Sequence, residues 1–183
     1  MEQERFDVGS AEGTDYSKFL ELIKKKMDPE SNYVILVDDE MGIRKKVGRD
    51  IKSFDTNIQI LEASDGQQAL HALEKGRQKY KKDPLFMVVD LNMPVMDGWT
   101  LIDRMKKDYE GSGKPYGIPI IVLSSTSGEK GMLFMKKSVH SDKGAYQPLV
   151  AIAKENCTDS KKYAGIGEKN LVEWLRHFAK ERD

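Results

Sequence analysis

From Tyr33 onward the chain alternates two patterns. Short unbroken apolar runs are followed by longer stretches in which apolar residues recur every three to four positions. YVILV (33–37), IQILEA (58–63), LFMVVD (85–90), IPIIVL (118–123) and PLVAIA (148–153) each read as a strand, YVILV as a buried one, while IQILEA is interrupted by Gln59 and Glu62. Between the first two, EMGIRKKVGRDIKSF sets Ile43, Val47, Ile51 and Phe54 on one helical face. Ser64-Asp65-Gly66 predicts a cap, and the helix it opens runs to about Tyr80 with Ala69, Leu70 and Leu73 inward. Lys81–Pro84 is a loop. A further helix after the loop NMPVMDG carries Trp99, Leu101, Ile102 and Met105, and the Gly/Pro-rich stretch Gly111–Gly117 reads as a loop. A helix from about Gly128 to Val139 carries Met132, Leu133 and Met135, and the last one carries Leu171, Val172, Leu175 and Phe178. Five strands alternating with five helices predict a doubly wound α/β fold, a parallel sheet covered on both faces.

The segment before Tyr33 stands outside that pattern. Residues 1–13 are polar and acidic, and Thr14 or Asp15 caps a short helix, YSKFLELIKKKM, that ends at Asp28-Pro29. Phe19, Leu20, Ile23 and Met27 give it a narrow apolar stripe. Two readings stand: a helix folded back on the body, or a partner helix, including one that pairs two copies as a homodimer. The expected organisation is an N-terminal extension over 1–31 and one domain over 32–183.

Composition narrows the function. Lys plus Arg and Asp plus Glu are both 30, so the net charge is zero and a nucleic-acid partner is not expected. One cysteine, Cys157, excludes a disulfide framework within the chain and fits a reducing compartment. The start lacks the basic and apolar regions of a signal peptide, and no apolar run approaches a membrane span, so a cytoplasmic setting is expected. His71, His140 and His177 show no metal-ligand spacing and read as surface residues.

In a parallel α/β sheet, ligands bind beyond the carboxyl ends of the strands. Those ends carry Asp38-Asp39 after the first strand, Asp90 at the end of the third, Ser124-Ser125 after the fourth and Lys154 after the fifth. Helix capping explains one strand-end carboxylate easily, but three converging carboxylates repel one another and raise each other's pKa. A hard divalent cation such as Mg²⁺ resolves that repulsion. Asp90 then serves as a nucleophile toward a phosphoryl group, with Lys154 as a second positive charge and the Ser124 hydroxyl as a hydrogen-bond donor to a phosphate oxygen.

VILVDDE, VVDLNMPVMDGW and IPIIVLSS together resemble the response-regulator receiver family of two-component signalling, over roughly residues 32–181. The acidic pair combined with D-x-x-M-P-x-M-D-G is a specific signature. The resemblance implies the flavodoxin-like strand order 2-1-3-4-5, with Asp90 as phospho-acceptor and Asp39 as direct metal ligand. It implies that Asp38 contacts metal-bound water and that the backbone carbonyl of Asn92 binds the metal, which is Mg²⁺ or Mn²⁺. Ser124 matches the switch hydroxyl, Pro94 and Gly98 match residues shaping the turn, and Asn92 and Thr126 match positions that tune dephosphorylation. The lysine of the family falls on Lys154 if PLVAIA is the fifth strand, or its place is taken by Gln147 if Gly144-Ala145 sets the alignment. No aromatic residue lies three positions before either one.

The implied activity is phosphorylation of Asp90 by a histidine kinase or a histidine phosphotransfer protein, with the domain catalysing its own phosphorylation and dephosphorylation. Output is expected through regulated binding of a downstream protein, since no effector domain follows the last helix. Two other readings stand beside it. One is a receiver-like scaffold not regulated by phosphorylation. The other is an aspartyl-phosphate phosphatase, which needs an acid two residues after Asp90, where this chain has Asn92.

Overall fold

A computed structural model of the chain describes residues 32–113, 117–124 and 149–153. Its strands are β1 (Tyr33–Val37), β2 (Gln59–Ala63), β3 (Met87–Asp90), β4 (Ile120–Ser124) and β5 (Leu149–Ala153). They form one sheet in the order β2-β1-β3-β4-β5, and every neighbouring pair is parallel. The helices are α1 (Met41–Phe54), α2 (Gly66–Tyr80) and α3 (Gly98–Ser112). The parallel α/β class expected from the sequence is the fold observed. The helices expected over 16–27, over 128–139 and near the C-terminus lie outside the described residues, as do Gln147, Lys154, Thr126 and Cys157.

The sheet centre explains the unbroken apolar runs. Every residue of β1 and β3 is buried, because each strand has a neighbour on both edges and a packed layer on both faces. β2 lies at the sheet edge and is mixed in burial, with Gln59 and Glu62 exposed and Ala63 buried. Ile58, Leu85, Phe86 and Ile118 are buried although they precede the strands. The apolar runs are therefore longer than the ladders, since their first residues fill the lower end of the core. Each fully buried Leu, Ile or Phe there contributes roughly 1.5–3 kcal/mol.

Local chemistry sets the helix ends. Asp65 accepts a hydrogen bond from the Gln68 N–H at 2.9 Å, and the Gln68 side chain accepts from the Ser64 N–H at 3.1 Å, a reciprocal cap at the start of α2. Lys81, with φ 57°, ends that helix in the left-handed region. Asp97 caps α3 by accepting from the Thr100 N–H at 2.8 Å. The stretch from Gly111 expected to be a loop begins later: α3 continues through Gly111 to Ser112, whose hydroxyl donates to the Tyr109 carbonyl at 2.7 Å. Gly113 then stops it with φ 68°.

Tyr33 anchors the lower end of the sheet to α2. Its ring stacks on Tyr80 with centroids 4.6 Å apart, and its hydroxyl donates to the Lys82 carbonyl at 2.8 Å. Gly76 makes room, since a Cβ there would run into the Tyr33 ring. Burial first, and the Asp83 charge second, push the Tyr33 phenol above its ordinary range. Unfolded tyrosine ionises near pH ~10, so the folded form holds its proton where the unfolded form has lost it. The stability this provides is full below that pH and falls as pH rises through it. Tyr33→Phe is expected to cost about 1 kcal/mol at neutral pH by removing the hydrogen bond to the Lys82 carbonyl. It should also flatten the alkaline loss, which urea unfolding at neutral pH and at about pH 10.5 measures.

Candidate functional site

The ladder registers bring three acidic residues to one edge. Val37 pairs with Val89 across β1 and β3, so Asp38 and Asp90 each lie one step further along neighbouring strands. Asp90 in turn pairs with Leu123 on β4, which puts Ser124 one residue beyond it. Asp38 is 2 % exposed and Asp90 1 %, whereas Asp39 is exposed. One carboxylate oxygen from each of Asp38, Asp39 and Asp90 lies within 4.8 Å of the others.

The backbone around these carboxylates is held at several points. The Asp38 N–H donates to the Ala63 carbonyl at 3.1 Å, and Asp38 Oδ1 accepts from the Glu40 N–H at 2.8 Å. Asp90 Oδ1 accepts a long bond from the Asn92 N–H at 3.4 Å. The Leu91 N–H donates to the Leu123 carbonyl at 3.3 Å, and the Gly98 N–H donates to the Leu91 carbonyl at 3.0 Å. Gly98 is pressed so closely under β3 that a Cβ would collide with the Asp90 carbonyl oxygen. The first turn of α3 therefore fixes the end of the strand that carries Asp90.

The loop between β3 and α3 also leans on the start of α2. The Gly66 N–H donates to the Met96 carbonyl at 2.8 Å, and a Cβ on Gly66 would come within 2.7 Å of Met96 Cγ. One residue earlier, Val95 has φ 65°, and the Met96 N–H donates to the Pro94 carbonyl at 2.7 Å. That is a γ-turn on a β-branched residue, a strained conformation. Val95 is 80 % exposed, so no packing requires its side chain. The left-handed region costs an L-residue roughly 1–2 kcal/mol, and a glycine costs about 0.4–1 kcal/mol more in the unfolded chain. Val95→Gly is therefore expected to stabilise the fold by about 0.5–1 kcal/mol, read as a rise in the urea midpoint at unchanged slope.

Of the residues singled out from the sequence, Asp38, Asp39 and Asp90 come together, with Asn92 exposed beside them. Pro94 and Gly98 sit in and after the loop as expected. Ser124 ends β4 at the same edge. Lys154, the residue after Ala153 of β5, lies outside the described residues. Trp99 is 36 % exposed at the start of α3, while Leu101, Ile102 and Met105 of the same helix are buried. His71 is exposed on α2, in line with a surface role.

Arg44 and Glu62, which no sequence motif marks, also meet at this edge. Arg44 Nη1 donates to the Asp38 carbonyl at 2.6 Å, and its Nε lies 3.5 Å from Glu62 Oε2 on β2. An arginine in the first turns of a polar helix reads as solvated, and only its spacing of six residues from Asp38 could have pointed to this contact.

The donor set suits a hard cation. Three carboxylates with no sulfur or imidazole among them match a hard divalent cation rather than a softer metal. Among the described residues, no helix is long and apolar enough to cross a membrane.

Comparison with known proteins agrees with the architecture. The family model for the response regulator receiver domain matches residues 34–140. The chain is 35 % identical over 98 residues to a protein-glutamate methylesterase/protein-glutamine glutaminase of Syntrophomonas wolfei, a match covering 54 % of this chain and 24 % of that protein. It is 30 % identical over 105 residues to the sensor histidine kinase CheAY of Helicobacter pylori, covering 57 % of this chain and 12 % of that one. The chain thus matches no more than about a quarter of either relative's length. Among solved structures, a two component response regulator from Cytophaga hutchinsonii superposes with a TM-score of 0.55 at 19 % identity, covering 84 % of this chain and 97 % of that one. The phosphorylated cyanobacterial phytochrome response regulator RcpA gives 0.51 at 18 % identity, covering 82 % and 90 %. Both structural likenesses concern the fold.

Proposed function

Because the chain belongs to the response regulator receiver family, matched over residues 34–140, we propose that it accepts a phosphoryl group on Asp90 and signals by phosphorylation-dependent protein binding. The observation that carries this reading is the cluster of Asp38, Asp39 and Asp90, oxygens within 4.8 Å, at the carboxyl edge of a parallel sheet. Two of the three are buried, where carboxylates this close repel one another, and a bound cation would offset that repulsion.

The chemistry assigned to Asp90 is nucleophilic. A carboxylate oxygen attacks the phosphorus of a phosphohistidine, the P–N bond breaks, and the imidazole leaves and takes up a proton. Asp90 is left as an acyl phosphate. Asp38, Asp39, Asp90 and the Asn92 carbonyl would hold Mg²⁺ or Mn²⁺, which supplies positive charge against the phosphoryl oxygens. Ser124, at the end of the neighbouring strand, is proposed to donate its hydroxyl to one of those oxygens, and Lys154 to add a second positive charge. The donor would be a histidine kinase or a histidine phosphotransfer protein in the cytoplasm. Asn92 argues against a phosphatase of the aspartyl-phosphate type, since an amide two residues past Asp90 cannot protonate a leaving group.

Incubation with acetyl phosphate and Mg²⁺, followed by intact-mass measurement, tests the reading. The expected result is a gain of one phosphoryl group that is absent without the cation and absent in Asp90→Asn. A folded protein that gains no mass from acetyl phosphate or a phosphorylated histidine donor would favour the scaffold reading instead.

A further inference from the structure

We propose that Arg44 is a positioning residue for the cation site, a role that rests on the reading of Asp38, Asp39 and Asp90 as its ligands. Three hydrogen bonds make a closed ring around the peptide between Asp38 and Asp39. The Glu40 N–H donates to Asp38 Oδ1 at 2.8 Å, the Arg44 N–H donates to the Glu40 carbonyl at 3.1 Å, and Arg44 Nη1 returns to the Asp38 carbonyl at 2.6 Å. The guanidinium also forms an ion pair with a second strand: its Nε lies 3.5 Å from Glu62 Oε2 on β2, without a hydrogen bond between them. Its side chain is only 12 % exposed, so this arrangement is packed in place.

The ring answers a specific mechanical problem. Asp39 is the exposed member of the cluster, and repulsion from buried Asp38 and Asp90 drives it outward. Its side chain follows the orientation of the 38–39 peptide, whose carbonyl Arg44 holds. A planar guanidinium can hydrogen-bond a carbonyl with one nitrogen while another faces a carboxylate, whereas an ammonium is a point charge with no such fixed fork. Arg44 thus holds the Asp38-Asp39 loop in a ligand-ready geometry before any cation arrives. Groups that orient a metal's ligands in this way commonly change affinity about 10- to 100-fold when removed.

The sign of the effect separates positioning from plain electrostatics. Arg44 is a cation close to a cation site, so on charge alone its removal would tighten divalent binding. Positioning predicts the reverse. Mn²⁺ binding to the full chain, followed by loss of the free-ion electron paramagnetic resonance signal, reads affinity with no dependence on phosphorylation. The expected results are about tenfold weaker binding in Arg44→Gln and partial recovery in Arg44→Lys. Glu62→Gln, which removes the ion-pair partner of both Arg44 and Lys45 and keeps the Arg44 charge, should weaken binding by less than Arg44→Gln does, and Glu62→Asp, which keeps the charge, should restore most of it. Cation-free thermal unfolding serves as the check on folding. If Arg44→Gln does not fold, Arg44→Lys and Glu62→Gln carry the test, and wild-type affinity in both overturns the proposal. Unchanged or tighter binding in a folded Arg44→Gln overturns it as well. A wild-type chain that binds no Mn²⁺ removes the cation-site reading itself, a result distinguishable from normal wild-type binding with an indifferent Arg44→Gln.

Discussion

Replacing Gly98 by alanine is expected to cost about 2–3 kcal/mol of stability and to lower phosphoryl acceptance at Asp90 by about two orders of magnitude. The added Cβ would collide with the Asp90 carbonyl oxygen and come within 2.9 Å of Leu91 Cα. Both are backbone atoms, so no side-chain rotation relieves the contact. β3 cannot retreat either, because it is hydrogen-bonded to β1 on one edge and β4 on the other. The strain must move the start of α3, which breaks the Gly98-to-Leu91 bond, or displace Asp90. Gly42 in α1 supplies the control. A Cβ there meets nothing within 4 Å, so Gly42→Ala should stabilise the fold by about 0.5–1 kcal/mol through helix propensity. Urea unfolding of the two variants, with the initial rate of mass gain from acetyl phosphate, checks both parts. Equal stability of Gly98→Ala and wild type would show that α3 does not clamp β3 as described.

The second large effect is a separation of stability from function in Asp38→Asn. At 4.8 Å, two like charges repel by roughly 3 kcal/mol at an effective dielectric of 20, before proton uptake and screening reduce it. The cluster holds three such pairs among Asp38, Asp39 and Asp90. The asparagine keeps an oxygen to accept from the Glu40 N–H and removes one charge from two of those pairs. The cation-free variant is therefore expected to be more stable than wild type by about 1 kcal/mol. Wild type should gain about 2.7 kcal/mol when Mg²⁺ is raised to a hundred times its dissociation constant. Asp38→Asn should lose most of that gain, and phosphorylation with it. The measurement is denaturant unfolding with and without MgCl₂ at matched ionic strength. A variant less stable than wild type without cation would mean that the cluster is not under repulsion.

The parts of this structure legible in the sequence are those governed by one strong rule. β1 coincides with the run YVILV because a central strand must be apolar on both faces. Asp38 and Asp90 could be placed at one edge because parallel strands deliver their carboxyl ends to the same side. The boundaries were less legible. Ile58, Leu85 and Ile118 are as apolar as strand residues yet lie before the ladders, and hydropathy cannot separate burial from pairing. Gly111 reads as a loop residue, but Tyr109 packs against the core and carries the helix past it. Val95 conceals a positive φ because the loop geometry, fixed by the Gly66-to-Met96 bond, overrides the residue's own preference. Arg44 was hidden for a related reason: its partners are a backbone carbonyl and a residue on another strand, and neither leaves a motif.

The most direct test of the central claim locates the phosphate chemically. An acyl phosphate on an aspartate is reduced by borohydride to homoserine, while a phosphate ester or phosphohistidine is not. Treating the acetyl-phosphate-loaded protein with borohydride, digesting it and sequencing the peptides by mass should show homoserine in place of aspartate at position 90, only when Mg²⁺ was present. Homoserine at another aspartate, or phosphate retained on a residue other than Asp90, would contradict the account.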